Sequence, residues 1–274
     1  DAEAVTALVD AARKWLATRG LDRMRGPVNY STNDSCAVLV DGFDEPPMIL
    51  MPYNRPDYDT LLQGAGLEPA KDLFALWIDA QNEVPARYRR VVERSVKRSH
   101  VTLRPIDLSD VAGEIRRLEN VYNRCWADNW GFVPATREEF THASKQMKPL
   151  LEPDLSRVAE IDGEPVGLSL ILRDLNRLLP GTNGRLLPKA LFRILFRLKK
   201  IRHVRVVALG VVPEARGRGI NEALFLHAMD GSRRKNNAGG EASWILEDNR
   251  KMLAPIEAMG GRITKRYRMY EMAV

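Results

Sequence analysis

Cysteine is nearly missing from this chain, and the two it has, Cys36 and Cys125, stand far apart with no CxxC pair. That excludes a disulfide framework, offers no thiolate zinc site, and points to a reducing cytoplasm. Long apolar runs are missing too. None approaches the roughly 20 residues that a membrane-spanning helix needs, and no charged-then-apolar segment opens the sequence. Acid is missing between Arg185 and Arg205, where eight basic residues (Arg185, Lys189, Arg193, Arg197, Lys199, Lys200, Arg202 and Arg205) stand without an Asp or Glu. Those eight exceed the whole net charge of +6, so the basicity is local and no general DNA-binding field is expected. What is present is ordinary for a globular protein: 274 residues, 45% hydrophobic and 28% charged, enough for one large domain or two modest ones.

The order of elements reads as mixed α and β. Val5, Leu8, Val9, Ala12 and Leu16 share one helical face, and Gly20 is a natural stop. A stretch rich in Gly, Pro, Asn and Ser follows to Ser35. The apolar run 37–40, a short helix ending near Gly64 or Gly66, and the buried strand "KDLFALWI" complete the first part. Residues 85–99 are polar and basic, a connecting segment with a helical form left open. From residue 100 the pattern restarts with a strand and a helix over 109–126. A second helix begins near Thr136, where Thr136 and Glu139 form a capping box. Two apolar runs around Asp162-Gly163 make a hairpin. Strand, helix, strand, helix and strand then follow to the end. "LLQGAGLEPAKDLFALWI" and "PIEAMGGRITKRYRMYEM" echo each other as helix, glycine and aromatic-bearing strand. The echo implies duplication, with residues 1–85 the rear half of a first domain, 86–99 a linker, and 100–274 a second domain with a basic helical insertion at about 185–203. On that reading the first domain would begin before Asp1.

The stretch "VVPEARGRGIN" places Gly217 and Gly219 between an apolar strand and a helix whose buried face is Ile220, Ala223, Leu224 and Ala228. Glycine lets backbone approach a ligand closely, and the free amides and dipole of a helix start attract an anion. Arg216, Gly217, Arg218, Gly219 and Ile220 resemble the pyrophosphate loop of the GNAT superfamily of acyltransferases, with Asn221 in place of the final small residue. The resemblance covers residues 100–274 in order of strands and helices. It implies a GNAT-like mixed central sheet flanked by helices, α/β (α+β) in class, in two related domains. It implies acetyl-CoA or another acyl-CoA as co-substrate. Gly210, Val211 and Val212 would meet its pantetheine arm on a strand that splays from its neighbour, residues 216–221 its pyrophosphate, and Asn249 its arm again. Asn249 is equally a helix N-cap.

The family's usual acid and base are not matched. The position of the Tyr that protonates the thiolate falls on Ile256, and the strand before the loop has no Glu. Glu247 at a strand end and His203, whose imidazole suits proton transfer near neutral pH, are the substitutes. Tyr122, Trp126, Trp130 and Phe132 cluster in the region that shapes the acceptor pocket in that superfamily.

In residues 186–202, Leu191, Ile194, Leu195 and Leu198 make one face and Lys189, Arg193, Arg197 and Lys200 a basic stripe. That helix is expected to cap the acyl-CoA site, with tRNA or membrane contact left open. The expected function is N-acylation, most simply N-acetylation, of a small amine or amino-acid-like acceptor. The rivals are a transferase using aminoacyl-tRNA, against which the intact glycine loop argues, and a non-catalytic acyl-CoA-binding regulator.

Overall fold

The computed structural model describes residues 1–274 apart from the side chains of Leu186 and Lys189, so Lys189 of the basic stripe lies outside the described side chains. The first part runs α1 (Ala2–Ala17), β1 (Arg23–Gly26), β2 (Val38–Asp41), α2 (Tyr58–Gly64) and β3 (Glu68–Asp79). Then come α3 (Ala86–Arg98), β4 (Val101–Pro105), α4 (Val111–Trp126), α5 (Arg137–Met147), β5 (Arg157–Ile161) and β6 (Glu164–Arg173). The chain closes with α6 (Leu191–Arg197), β7 (His203–Val211), α7 (Ile220–Arg234), β8 (Gly239–Leu246), α8 (Arg250–Ala258) and β9 (Arg262–Ala273). Local chemistry accounts for several boundaries. Thr136 and Glu139 form the reciprocal capping box at the start of α5. Asp162 and Gly163 both take positive φ in the two-residue turn that joins β5 to β6. β1 has no apolar run to announce it, and it forms by pairing with β9.

Among the described residues nine strands make one sheet in the order β1-β9-β3-β8-β7-β6-β5-β4, with β2 also on β9. Each pairing is antiparallel except that of β7 with β8. β3 comes from the first eighty residues and yet lies between β8 and β9, so the early and late parts of the chain share one sheet. β3 and β9, each twelve residues long and each preceded by a helix and a glycine, pair from Glu68↔Glu271 to Trp77↔Arg262. The segment expected as a connection is helix α3, which packs on α7 with Val92 buried. Its Ser95 sits over the glycine loop, where a Cβ on Gly219 would come within 3.0 Å of the Ser95 Cβ.

β7 does not stay beside β8. Their parallel pairing runs from His203↔Gly239 to Val206↔Ala242 and stops. On its other edge β7 follows β6 as far as Val211, with one residue, Val207, bulged out between the pairs Leu170↔Ala208 and Ile171↔Val206. A bulge bends its strand and strengthens the local twist, so the bulge marks where β7 turns away from β8 and a gap opens between them.

Candidate active site

The gap ends at the glycine loop. After Val211 the buried Val212 leads into a single turn, Pro213–Ala215, and then Gly217 and Gly219 both adopt φ of 77°. Gly219 is the N-cap of α7, a left-handed position that a side chain would strain. The first helical hydrogen bond is from the Ala223 amide to the Gly219 carbonyl, 3.0 Å. Among the described residues, the amides from Gly217 to Glu222 have no acceptor in the chain. Six bare N–H groups at a helix start suit an anion of several oxygens, such as a pyrophosphate. Arg216 is exposed but its guanidinium is engaged elsewhere. Its guanidinium donates to the Cys125 carbonyl (2.9 Å) and the Val211 carbonyl (3.2 Å) and so ties the loop to the end of α4. Arg218 is exposed.

Behind the gap lies a cavity of about 500 Å³, lined on one side by residues 206–209 of β7 and 242–246 of β8. The four aromatic residues picked from the sequence all line it. Tyr122 packs at 4.7 Å from Trp126 and 6.1 Å from Phe132, centroid to centroid, and Phe140 from α5 joins at 5.4 Å. Gly210 lets α4 come this close, since a Cβ there would meet the Trp126 ring at 2.9 Å. Trp130 lies under the Arg25 guanidinium, 4.2 Å from its centroid. Burial, with Asp34 nearby, pushes the Tyr122 hydroxyl up to about 12, so it stays protonated and donates to Asn33 at 2.9 Å.

Two stretches of the first part close the cavity, residues 31–36 and 50–52. The first of them brings Asp34 to the lining. Asp34 and Glu139 are carboxylates on the lining, but Glu139 is held by the Thr136 backbone and hydroxyl, whereas Asp34 has no side-chain partner among the described residues. Deeper in, Arg205 is buried and donates to Ser243 Oγ (2.9 Å), the Ser243 carbonyl (3.0 Å) and the Ile49 carbonyl (2.8 Å). Ser243 donates to Glu241 at 2.7 Å, and Lys265 reaches the other Glu241 oxygen at 3.1 Å. Burial pulls the Arg205 guanidinium down to about 10, still cationic at neutral pH.

Of the residues proposed for proton transfer, neither is brought to the cavity. Glu247 is exposed, accepts from the Asp72 amide at 3.2 Å and lies 3.9 Å from Lys71, a link between β8 and β3. His203 opens β7 against Trp77, and eight residues of extended strand put it roughly 25 Å from Val211. Asn249 does line the cavity, and although it holds the N-cap position of α8 its side chain makes no capping bond. Ile256 is fully buried. The basic helix α6 belongs to the His203 end of β7, so it does not cap the glycine loop. Phe140, Asp34 and Arg205 were not singled out from the sequence. Phe140 follows Phe132 by eight residues in an aromatic-rich stretch, the signal that marks it in the sequence.

No family model matches the chain. Its relatives in sequence include the bacterial ceramide synthase of Caulobacter vibrioides, 34% identical over 273 residues, which are 97% of this chain and 71% of that protein. Protein YghO of Escherichia coli is 33% identical over 278 residues, 99% and 71% of the two chains. Among solved structures, a GCN5-related N-acetyltransferase from Sphaerobacter thermophilus superposes with a TM-score of 0.53 at 15% identity, covering 81% of this chain and 59% of that one. The GCN5-related glucosamine N-acetyltransferase region of a fungal multi-domain β-N-acetylglucosaminidase gives 0.57 at 15% identity, covering 97% and 27%. These likenesses show the fold, and it is the GNAT fold.

Proposed function

The chain belongs to the family of the Caulobacter bacterial ceramide synthase and Escherichia coli YghO, and from that premise we propose that it is an acyl-CoA-dependent N-acyltransferase whose acceptor is an amine bearing a long apolar chain. A ceramide is an N-acylated long-chain amino alcohol, so the relative's name supports an amide product and an apolar acceptor. The observation that carries the reading is the continuity of the β7–β8 gap with a cavity of about 500 Å³ walled by aromatic and aliphatic side chains. Pockets of roughly 300–1,000 Å³ bury a drug-sized ligand, and an acetyl group with a small amine would leave most of this one unfilled. The acceptor is therefore read as long-chained, in place of the small molecule expected from the sequence.

Acyl-CoA as substrate supplies a carbonyl already activated as a thioester. The amides of residues 217–222 fit its pyrophosphate, and the uncommitted side chain of Asn249 fits its arm. Past Val206, β7 is paired on one edge alone, and amides on the open edge would stabilise the oxyanion as its charge develops, most strongly where water is excluded. The apolar lining favours the neutral, nucleophilic form of the amine, because burial penalises the ammonium ion. We assign uptake of the amine's proton to Asp34, the unpartnered carboxylate of the lining, which is exposed and can pass the proton to water. As the tetrahedral oxyanion collapses the C–S bond breaks, and CoA leaves as the thiol after taking a proton from water.

The test is thiol release and amide formation, followed by mass spectrometry, with acyl-CoA and a panel of amines. Long-chain amino alcohols are expected to turn over, and Asp34→Asn to lower kcat while leaving CoA binding unchanged. Turnover of amino acids with none of long-chain amines would overturn the acceptor reading. An absence of CoA binding would overturn the donor reading.

A further inference from the structure

Helix α6 presents its apolar side to solvent. Phe192, Leu195 and Phe196 are 59%, 67% and 71% exposed, and the two phenyl rings stack 6.2 Å apart at 6°. The opposite side does the anchoring: Ile194 and Leu198 are half-buried, Ala190 and Ile201 buried. Arg193 donates to the Pro180 carbonyl at 2.5 Å and the Leu178 carbonyl at 3.5 Å. The same segment carries Arg185, Arg197, Lys199 and Lys200, all exposed, while Arg202 is held by the Asn236 carbonyl (2.5 Å) and side chain (3.0 Å). Neither Asp nor Glu occurs between Asp174 and Glu214.

We propose that α6 and its flanking turns dock this end of the molecule on an anionic bilayer surface, with Phe192, Leu195 and Phe196 in the acyl boundary and the basic residues at the headgroups. An apolar face on a short helix, too short to span, with cations in the same segment, is the composition of an interfacial helix. A second copy of the chain would bring the same cations against these, whereas an anionic leaflet satisfies both the apolar face and the charge. The position also suits delivery from the bilayer. The segment after β6 that carries α6 is bonded to the segment leading into the cavity wall, through Asn176 to the Pro47 carbonyl (2.9 Å) and the Ile49 amide to Asp174 (2.9 Å). Leu50, next in the chain, lines the cavity and is exposed. Docking is independent of the acyltransferase reading, since it is measured without substrate.

The experiment is co-sedimentation of the full chain with vesicles of phosphatidylcholine alone or mixed with phosphatidylglycerol. Binding is expected to the mixed vesicles and to weaken with salt. Phe192→Ser with Phe196→Ser should reduce it roughly tenfold or more, and Lys199→Glu with Lys200→Glu several-fold, with melting unchanged at these exposed positions. As a check that keeps the ring, the emission of Phe192→Trp should shift to the blue on adding mixed vesicles. Four results would each overturn the proposal: wild type left in the supernatant with both vesicle types, a serine pair that sediments like wild type, no emission shift, or a serine pair that dissolves a dimer in place of lost vesicle binding. Retention of RNA that depends on Lys199 and Lys200 but not on the phenylalanines, without vesicle binding, would reassign the patch to nucleic acid.

Discussion

The two ends of β7 are both basic, the His203 end far more so, and they differ in what they turn outward. Past Val211 the chain offers bare amides, and its nearest arginine, Arg216, is folded back onto two carbonyls. Before His203 it offers phenylalanine and leucine, and Arg193 is likewise spent on two carbonyls. Counting cations would have pointed to the His203 end and passed over the loop. What separates them is the group left without a partner in the chain, an N–H at one end and an aromatic face at the other, and each names a different class of ligand.

The largest expected effect lies between the ends, where Arg205 is buried with each of its three guanidinium nitrogens donating a hydrogen bond. Arg205→Met should destabilise by about 3–5 kcal/mol, because it breaks a buried charged network around Glu241. Arg197→Met, exposed on α6, should stay within about 0.5 kcal/mol. Urea unfolding of the pair decides, and equal losses would erase the distinction between buried and surface arginine.

At the loop end, Gly219→Val meets both a φ of 77° and the Ser95 side chain, at a cost of about 1–3 kcal/mol. Gly217→Ala has the same φ with open space around it, so it should cost only about 1–2 kcal/mol. Thermal melting without ligand measures both, and a larger loss at Gly217 would contradict the packing of α3 over the loop.

Selectivity comes next. Ala143 lines the cavity from α5, so Ala143→Phe should shorten it. The ratio of long-chain to short-chain kcat/KM is expected to fall about tenfold or more, each lost methylene contact being worth about 1 kcal/mol or more. An unchanged ratio would mean that the chain lies elsewhere.

The smallest effect is one of pH at the helix end. Burial, then Arg177 and Arg202, hold His203 below its ordinary value. As pH falls, the unfolded chain therefore takes up this proton before the folded one, and stability drains below about pH 6.5. His203→Asn should reduce the fall in Tm between about pH 7.5 and about pH 5.5. A variant that loses as much Tm as wild type would show that His203 titrates normally.

Local signals were legible to the extent that they were local. The glycine loop, the capping box, the Asp162-Gly163 hairpin and the Tyr122–Phe132 aromatic group each depend on residues close in sequence, and each appears in the structure. The wall made by residues 31–36 and 50–52 depends on β3 crossing into the later sheet, which no short window contains. Glu247 shows the same limit. It reads as a free carboxylate at a strand end until Asp72, 175 residues away, supplies the amide that holds it. His203 has suitable chemistry, but it packs against Trp77 at the start of β7 and is not among the residues that line the cavity.

The most direct measurement is calorimetric titration of CoA into three proteins: wild type, Gly219→Val, and Lys199→Glu with Lys200→Glu. Bare amides as the phosphate cradle predict binding by wild type and by the lysine pair, and its loss in Gly219→Val. No heat from wild type, or binding abolished by the lysine pair and kept by Gly219→Val, would contradict it.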